Sequence, residues 1–410
     1  MSDPGSERAP VARGFSTRAI QAASRAPRVD QRPTNVPIYQ TVTFAAADVD
    51  ELDAVATDRQ RGYAYSRLDN PTIVALGDAI AELEGAEAGY VVSSGMAAVH
   101  AALVSLLESG DRVVSTRAVY GSTRSLLNNV LGPFGVTTEY VDATDLDAVE
   151  RALTVPTRVL YTETISNPNI VVVDHAALAD LAHRHGATYV VDNTFASPYL
   201  CRPIELGADL VIESATKYLG GHSDVLAGSI AGSRGRIDAV RAVQIDTGAS
   251  LAPLAAFLVL RGIDTLAVRL DRHASTSLTL AAWLEGQEGV ERVFHPDLPS
   301  HPQADVARRQ LRSGGGMFAF ELAGGRRAGR AFIDALRIAE LTASLGSVHT
   351  MVVHPPSTTH RQLDDAGLAE AGIGPGLLRC SIGLEDVEDL QADFAHALEV
   401  ARATLEPTAV

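Results

Sequence analysis

The segment LVIESATKYLGG spans residues 210–221 and joins a short apolar run to a lysine and a pair of glycines. The run Leu210-Val211-Ile212 is typical of a strand that is buried on both faces. Lys217 follows this run, so it lies just beyond the end of a predicted buried strand. In open parallel sheets, ligands bind beyond the carboxyl ends of the strands, where loops lead into helices. Most isolated lysines are surface charges, but the position of Lys217 makes it a candidate for ligand chemistry.

Short apolar runs alternate with helical patterns on the amino-terminal side of this segment. The sequence predicts strands at 89–92, 112–115, 158–161, 188–191 and 210–212, and helices at 96–107 and 176–185. This alternation is typical of a mostly parallel sheet that is covered by helices on both faces. We therefore predict an α/β fold for the central part of the chain.

The length of 410 residues exceeds what one hydrophobic core usually serves, which favours two domains and an arm. Residues 1 to about 35 are rich in Pro, Arg, Ser and Ala and have no periodicity, as expected of a mobile arm. After residue 261 the pattern changes to a long helical stretch, 264–284, followed by short strands such as 317–320. We predict an arm over 1–68, a large domain over 69–262 and a smaller C-terminal α/β domain over 263–410.

Composition excludes several classes of function. The net charge of −16 argues against nucleic acid as a partner, because phosphate backbones attract a surplus of Lys and Arg. The two cysteines, Cys201 and Cys380, can form neither a disulfide framework nor a clustered metal site. We found no secretory signal and no apolar stretch that could span a bilayer. The sequence thus predicts a soluble, cytoplasmic protein without metal or membrane partners.

A possible phosphate site follows the first predicted strand. The residues are Ser93-Ser94-Gly95-Met96, which open the helix predicted to follow. Gly95 allows close approach of a ligand to the backbone, and the free N–H groups of a first helical turn suit a phosphate. By itself, the pattern is equally typical of a structural turn.

Asp192 ends the buried run Val190-Val191. An isolated carboxylate in such a place is costly unless it has a partner. A protonated heterocyclic nitrogen is one suitable partner, and the N–H groups of a following turn are another. Both interpretations remain open from this residue alone.

Lys217 has two hydroxyl neighbours in the chain, Ser214 and Thr216. Burial at a strand end lowers the pKa of a lysine and makes its neutral amine able to form an imine. The two hydroxyls can donate hydrogen bonds to a phosphate. An acid and a lysine at neighbouring strand ends, together with a helix that opens at a glycine, favour a site for a phosphorylated heterocycle.

The order of six motifs resembles the transsulfuration family of pyridoxal-phosphate enzymes of Cys/Met metabolism. The motifs are SSGM (93–96), VYGS (119–122), ETISNPN (163–169), VVDNT (190–194), SATKYLGGHSD (214–224) and LLRCSIGLEDVEDL (377–390). The resemblance runs from about Val36 to Ala397. It implies the fold type I architecture of PLP-dependent transferases, with a mostly parallel sheet in the large domain, and pyridoxal 5'-phosphate as cofactor.

The resemblance also implies a role for individual residues. Lys217 would form the Schiff base and then move protons, Asp192 would keep the pyridine nitrogen protonated, and Tyr120 would stack on the ring and act as an acid or base. The cofactor would further contact Gly95, Met96, Asn167, Ser214 and Thr216. The substrate carboxylate would bind Arg379, with Asn167 and Ser344 as helpers.

Tyr65 and Arg67 match a family motif that reaches into the phosphate site of the neighbouring subunit. Arginine suits this task because it grips a phosphate with two parallel hydrogen bonds. The resemblance therefore implies that the arm contributes to a neighbour's site. A homodimer would then be the smallest active unit, and the family commonly forms homotetramers.

Positions outside the cofactor motifs give mixed indications of the reaction. Ser122 stands where methionine γ-lyases carry Cys, and Gln244-Ile245 stand where they carry a Lys-Asp pair. Ala343 replaces a Glu that is common in members that handle cystathionine. The stretch 357–363 resembles homoserine-ester sulfhydrylases, whereas Ser344-Leu345-Gly346 resembles the lyases.

We predict γ-elimination or γ-replacement on sulfur-containing or O-acylated homoserine amino acids. A lyase on methionine or cystathionine and a sulfhydrylase or cystathionine γ-synthase all remain open. An aminotransferase on the same fold and a specialised γ-replacement enzyme with a non-sulfur nucleophile are further alternatives. The presence of Lys217 argues against a non-catalytic scaffold.

Overall fold

Two β-sheets organise the chain in the computed structural model, which describes residues 33–57, 59–358, 361, 364–370 and 372–404. The first sheet has the strand order β1-β7-β6-β5-β4-β2-β3, and the second has the order β10-β11-β12-β9-β8. The strands are β1 (Ala88–Val92), β2 (Arg112–Thr116), β3 (Thr137–Val141), β4 (Val159–Glu163), β5 (Thr188–Asp192), β6 (Leu210–Glu213), β7 (Gly228–Gly232), β8 (Val290–Phe294), β9 (Met317–Leu322), β10 (Glu340–Leu341), β11 (Met351–Val353) and β12 (Leu377–Ser381).

Helices connect and flank these strands. The α-helices in the described ranges are α1 (Val49–Ala56), α2 (Pro71–Glu84), α3 (Gly95–Val104), α4 (Gly121–Ser125), α5 (Leu146–Leu153), α6 (His175–Arg184), α7 (Ser197–Leu200), α8 (Arg234–Thr247), α9 (Pro253–Ile263), α10 (Leu266–Leu284), α11 (Ala304–Gln310), α12 (Gly325–Ala335), α13 (Asp365–Glu370) and α14 (Val387–Ala403). A π-helix at Leu126–Leu131 follows α4, and 3₁₀ turns occur at Gly132–Phe134, Pro203–Leu206 and Pro355–Ser357.

The first sheet is mostly parallel, which confirms the prediction for the central part of the chain. Strands β2 to β6 pair in parallel, whereas β7 runs antiparallel to both of its neighbours. All five residues of β4 are buried, because helices cover both faces of a parallel sheet. This topology places the carboxyl ends of β4, β5 and β6 side by side.

Strand β7 lies outside the predicted elements. Its sequence, GSIAG, contains two glycines and one β-branched residue, so it has little strand propensity. The tertiary structure requires a glycine here, because a Cβ at Gly228 would lie 2.1 Å from the carbonyl oxygen of Ser94. The absent side chain thus lets β7 pack against the loop that opens α3.

Two helices differ from the prediction by two or more residues at one end. Helix α3 ends at Val104 rather than at 107, because the chain turns there with Ser105 as its cap. The helical stretch predicted from residue 264 begins at Leu266 and is preceded by α9, an apolar helix with Pro253 in its first turn. Within the described part of the chain, no helix is long and apolar enough to cross a membrane.

One hydrophobic cluster contains residues from both sheets and from the loop around Lys217. Its members include Leu76, Val91, Tyr218, Met317 and Leu377. A second cluster fills the second sheet's helix-covered face with Phe318, Phe320, Phe332 and Phe394. The division at residue 262 stays a prediction. Residues 1–32 of the predicted arm, and residues 359, 360, 362 and 363 of the stretch 357–363, lie outside the described residues.

Helix α9 contacts the glycine pair that follows Lys217. A Cβ at Gly262 would lie 2.3 Å from the carbonyl oxygen of Leu219 and 2.4 Å from that of Gly220. The Gly262 carbonyl also accepts a hydrogen bond from Nη2 of the buried Arg269, whose Nη1 donates to the carbonyl of Tyr218. Gly262 and Arg269 therefore set the distance between α9 and the turn that carries the lysine.

Replacing Gly262 by Ala should push α9 away from this turn and destabilise the fold by about 1–3 kcal/mol. Urea unfolding followed by circular dichroism measures the effect. Gly235→Ala is the matched control, because a Cβ at this helical glycine meets no atom within 4 Å. It should be neutral or stabilise by up to about 1 kcal/mol. Equal effects of the two substitutions would contradict the close-contact argument.

Candidate active site

The carboxyl ends of β4, β5 and β6 converge at one edge of the first sheet. Glu163 is in register with Asp192, and Asp192 with Ile212. A cavity of about 230 Å³ opens at this edge. It is lined by Ser94, Gly95, Met96, Val99, Tyr120, Glu163, Ile165, Asn167, Asp192, Thr194, Phe195, Ser214, Thr216, Lys217, Leu226, Ala343, Leu345 and Arg379. Nine of the twelve residues predicted from the sequence are thus brought together.

The start of α3 forms one end of the cavity. Ser94 caps the helix, because its Oγ accepts a hydrogen bond from the amide of Ala97 at 3.1 Å. The amides of Gly95 and Met96 begin the helix and so have no acceptor one turn earlier. A Cβ at Gly95 would lie 2.6 Å from Cβ of Ser214. Only glycine therefore lets the helix start and the Ser214 loop form one cradle of N–H and hydroxyl groups.

Two threonines hold this loop in place. The Thr194 hydroxyl accepts a hydrogen bond from the Ser214 amide at 2.8 Å. The Thr216 hydroxyl donates to the carbonyl of Ala227 and accepts from its amide. Thr194 was not among the predicted site residues. Its position in the VVDNT motif, two residues after Asp192, is the signal that could have identified it.

Asp192 lies at the base of the cavity. Its Oδ1 accepts a hydrogen bond from the amide of Thr194 at 3.0 Å, so the carboxyl group caps the following turn as one of the two interpretations proposed. Burial raises the pKa of Asp192, and the hydrogen bonds from Thr194 oppose that rise. A cation beside the carboxylate would offset the cost of burying its charge.

Lys217 projects toward the loop before β11. Its Nζ donates a hydrogen bond to Oγ of Ser344 at 2.8 Å, which is how Ser344 joins the site. Burial, assisted by the positive charge of Arg379, lowers the pKa of Lys217 to about 8. A lysine with this pKa has a much larger neutral fraction near neutral pH than an exposed lysine, which favours imine formation.

Arg379 is the buried cation of the site. It extends from β12, where its Nη1 donates to Oδ1 of Asn167 and its Nη2 to the carbonyl of Ser344, both at 2.8 Å. Its Nε is buried and has no hydrogen-bond partner among the described residues. Burial lowers the pKa of Arg379 to about 10, so the guanidinium remains charged at neutral pH and is suited to bind a carboxylate.

Glu163 orients Tyr120. Oε1 of Glu163 accepts a hydrogen bond from the Tyr120 amide at 2.5 Å. Burial, together with the nearby charge of Asp192, raises the pKa of Glu163 well above its usual range. The phenol of Tyr120 is 43% exposed and lies at the edge of the cavity. The sequence matched Glu163 to a family motif without a role, and the contact with Tyr120 suggests one.

Tyr65 and Arg67 do not line the cavity of their own chain. Both are exposed, and the Arg67 guanidinium lies 5.8 Å from the centre of the Tyr65 ring. Nη1 of Arg67 donates to the carbonyl of Ile245. Their predicted place in a neighbouring subunit's site stays a prediction.

Several residues of the cavity had no signal in the sequence. Leu226 and Phe195 are apolar residues in loops, and only the folded chain brings them to the edge of the cavity. Conversely, Ser122 and Gln244, which were considered for specificity, do not line it. Gln244 is buried, and its Nε2 donates to Ser250.

The residues present fit pyridoxal 5'-phosphate. The cradle at Gly95, which a Cβ would fill, offers N–H and hydroxyl groups to a phosphate. Asp192 offers a half-buried carboxylate to a ring nitrogen, and Lys217 offers an amine of lowered pKa to an aldehyde. The buried Nε of Arg379 remains available for a further anion.

Comparison with known proteins agrees with this chemistry. The sequence model of the Cys/Met metabolism PLP-dependent enzymes matches residues 16–399. The chain belongs to this family. It is 45% identical to L-methionine γ-lyase of Pseudomonas putida over 95% of this chain and 98% of that one. It is 40% identical to O-succinylhomoserine sulfhydrylase of Pseudomonas aeruginosa over 94% of this chain and 95% of that one.

Solved structures of the family share the fold. Cystathionine γ-synthase of Xanthomonas oryzae is 37% identical over 90% of this chain and 94% of that one, with a TM-score of 0.86. A structure from Campylobacter jejuni is 32% identical over 91% of this chain and 97% of that one, with a TM-score of 0.87, and carries pyridoxyl-lysine phosphate. The predicted fold type I architecture is therefore confirmed.

The chain is thus a PLP-dependent enzyme of the transsulfuration family. Its relatives named L-methionine γ-lyase and O-succinylhomoserine sulfhydrylase agree with the γ-elimination or γ-replacement that the sequence predicted.

Cofactor attachment should depend on pH through Lys217. The neutral amine predominates above its pKa of about 8, so the rate at which apoenzyme gains the visible absorbance of lysine-bound cofactor should rise as pH passes through that value. Arg379→Met removes a charge that lowers this pKa and should move the midpoint to higher pH. Arg379→Lys keeps the charge and is the control. Lys217→Ala should give neither absorbance nor turnover, and a yellow, active variant would overturn the assignment.

Proposed function

We propose that this enzyme eliminates small, uncharged substituents from the γ-carbon of amino acids, as a methionine γ-lyase does. The observation that carries the proposal is the composition of the cavity wall. Its charged residues are Glu163, Asp192, Lys217 and Arg379, each with a role in the cofactor or carboxylate end of the site. The remaining wall is largely apolar and includes Val99, Ile165, Phe195, Leu226, Ala343 and Leu345. A thioether suits this surface, whereas a distal ammonium or carboxylate would lose hydration without gaining a partner.

A sulfhydrylase that acts on O-acetylhomoserine is the second candidate. The acetyl ester is also small and uncharged, so the same wall can accept it. Leu226 is 69% exposed and Tyr120 43% exposed, which leaves the cavity of a single chain accessible to a thiol as second reactant. The two reactions differ in whether water or a thiol captures the product of elimination.

The cofactor, when bound, supplies an electron sink that stabilises negative charge at the substrate α-carbon. Asp192 would keep the ring nitrogen of the cofactor protonated, and the protonated ring is the better electron sink. Gly95, Met96, Ser214 and Thr216 would bind its phosphate. Together these residues would hold the cofactor in the cavity beyond the carboxyl ends of β5 and β6.

Arg379 orients the substrate. Its guanidinium is held by Asn167 and by the Ser344 carbonyl, so it can bind the substrate carboxylate without reorganising. Lys217, in its neutral form, would take the substrate α-proton at Nζ. Ser344 keeps Nζ within 2.8 Å of its hydroxyl and thus limits the positions the amine can take.

Tyr120 is the residue that we propose protonates the departing thiol or carries protons near the γ-carbon. Glu163 accepts a hydrogen bond from the backbone amide of Tyr120. The side chain of Tyr120 lines the same cavity as the apolar residues. We propose that two chains complete each site, with Tyr65 and Arg67 reaching a neighbour's phosphate site. The exposed positions of both residues support this arrangement. A homotetramer of two such dimers in the cytoplasm is our proposal for the assembly and its location.

The substrate proposal predicts a clear order of turnover. Methionine should release 2-oxobutanoate and ammonia without added thiol, and cystathionine and O-succinylhomoserine should react poorly. Formation of homocysteine only from a homoserine ester plus sulfide would instead establish the sulfhydrylase. Ala343→Glu should raise kcat/KM for cystathionine relative to methionine by about tenfold, since the new carboxylate can pair with a distal ammonium. Ala343→Gln is the control of equal size.

Sharing of sites predicts complementation between inactive variants. Arg67→Ala should weaken cofactor retention, and Lys217→Ala should abolish turnover. A mixed dimer contains one site with both residues intact, so random mixing should restore up to about a quarter of the wild-type activity. Purified mixed dimers that remain inactive would count against the shared site.

A further inference from the structure

Glu84, Asn193 and Glu213 form a buried polar cluster beside the strand ends that carry the site. Their exposed fractions are 1%, 0% and 2%, and none of them lines the cavity. Asn193 directly follows Asp192, Glu213 directly precedes Ser214, and Glu84 ends α2. The cluster is thus connected through single peptide bonds to two groups of the cofactor site.

The side chain of Asn193 joins four segments of the chain. Its Oδ1 accepts a hydrogen bond from the Thr164 hydroxyl at 2.7 Å. Its Nδ2 donates to the Cys201 carbonyl at 2.9 Å, to Oε1 of Glu84 at 3.2 Å and to Oε1 of Glu213 at 3.4 Å. Because Thr164 follows Glu163 in the chain, this one amide links the ends of β4, β5 and β6 to α2.

A chain of hydrogen bonds leads to the cluster, and in it each group donates to the next one nearer to Glu84 and Glu213. The Thr164 hydroxyl gives its proton to Asn193, so it accepts from Nε2 of His175 at 3.1 Å. Nδ1 of His175 then accepts from the Tyr189 hydroxyl at 2.8 Å, which in turn accepts from Thr162 at 2.9 Å. Burial lowers the pKa of His175 to about 4, in keeping with this neutral tautomer.

This chain of hydrogen bonds offers too few N–H and O–H donors for the carboxyl oxygens of Glu84 and Glu213. Asn193 has two N–H bonds for three acceptors, one of which is the Cys201 carbonyl. Oε2 of Glu84 and Oε2 of Glu213 are buried and have no donor among the described residues. Two adjacent buried carboxylates that share a single amide as donor would repel each other in a medium of low polarity. A single proton shared by the two groups would supply a hydrogen-bond donor and remove one of the two negative charges.

We propose that Glu84 and Glu213 share one proton and that this neutralised pair, through Asn193, positions the strand ends that carry Asp192 and Ser214. Glu84 and Glu213 are thereby positioning residues of the cofactor site. The proton lets one carboxyl group donate a hydrogen bond to the other and leaves one negative charge for the Asn193 amide to stabilise. Its loss would force Glu213 and the end of α2 apart.

The charges around the pair favour retention of this proton. Burial raises the pKa of both carboxyl groups, and the nearby charges of Glu205 and Asp192 raise the pKa values of Glu84 and Glu213 respectively. Arg202 opposes the rise at Glu84, but it also forms an ion pair with the exposed Glu205. The Cys201 thiol is uncharged, because burial raises its pKa. His175, at the other end of the network, is neutral.

Proton sharing makes stability depend on pH in a defined direction. In the unfolded chain both carboxyl groups ionise above about pH 4–5. The folded pair still holds one proton there, so the unfolding equilibrium constant should rise by about tenfold per pH unit until the pair ionises. Below about pH 4 the two carboxyl groups are protonated in both the folded and the unfolded chain, so this dependence of stability on pH disappears.

Glu213→Gln and Glu84→Gln test the proposal in the holoenzyme. Each amide supplies the donor that the shared proton provided, so each variant should fold and lose the dependence of about tenfold per pH unit between pH 5 and pH 8. Glu205→Gln is the control, because it removes a nearby exposed charge and keeps the pair. Urea unfolding at several pH values measures the slopes. Equal slopes in the wild type and both pair variants would overturn the proposal.

Two further measurements separate proton sharing from general packing. Infrared spectra of the wild type should contain a carbonyl band of a buried carboxylic acid that Glu213→Gln and Glu84→Gln each lose and Glu205→Gln retains. The loss of lysine-bound cofactor absorbance during dialysis should accelerate with rising pH in the wild type and much less in the pair variants. Absence of the band overturns the shared proton, and pH-independent cofactor loss in the wild type overturns the positioning role.

Discussion

The hydrogen bonds of Arg379 hold the two halves of the site together. This residue extends from the second sheet and donates to Asn167, which follows β4 of the first sheet, and to the carbonyl of Ser344, whose hydroxyl accepts from Lys217. The groups that bind the substrate carboxylate and those that bind the cofactor therefore belong to one connected structure. This connection helps to fix the distance between Lys217 and the wall formed by Ala343 and Leu345.

Burial of charge at the strand ends governs the chemistry of the site. Desolvation lowers the pKa of Lys217 and raises the pKa values of Asp192 and Glu163. The charged form of each group is therefore costly unless a partner offsets its charge. In our proposal the cofactor would provide such a partner for Lys217 and for Asp192. For Glu84 and Glu213, which do not line the cavity, the proposed shared proton would have the same effect, and both arrangements depend on the close packing of three parallel strands.

The sequence was most informative where chemistry and strand position coincide. Lys217, Asp192 and Gly95 were recognised because each follows an apolar run at a predicted strand end, and the parallel topology brings such ends together. Strand β7 was not recognised, because the contact of Gly228 with Ser94 requires a glycine that lowers strand propensity. Ser344 and Arg379 depended on the family resemblance, since nothing in their local pattern indicates that they meet Lys217 from more than 120 residues away.

The sequence by itself determined the family, the cofactor and the reaction class, because these depend on residue types in a fixed order along a parallel sheet. The tertiary structure alone decided which side chains surround the γ-substituent, as Leu226 and Phe195 come from separate loops without a local signature. It also decided that Glu84 meets Glu213, two ordinary glutamates in the sequence. Contacts between distant segments arise only when the core packs, and a carboxyl group's protonation follows from the neighbours that packing supplies.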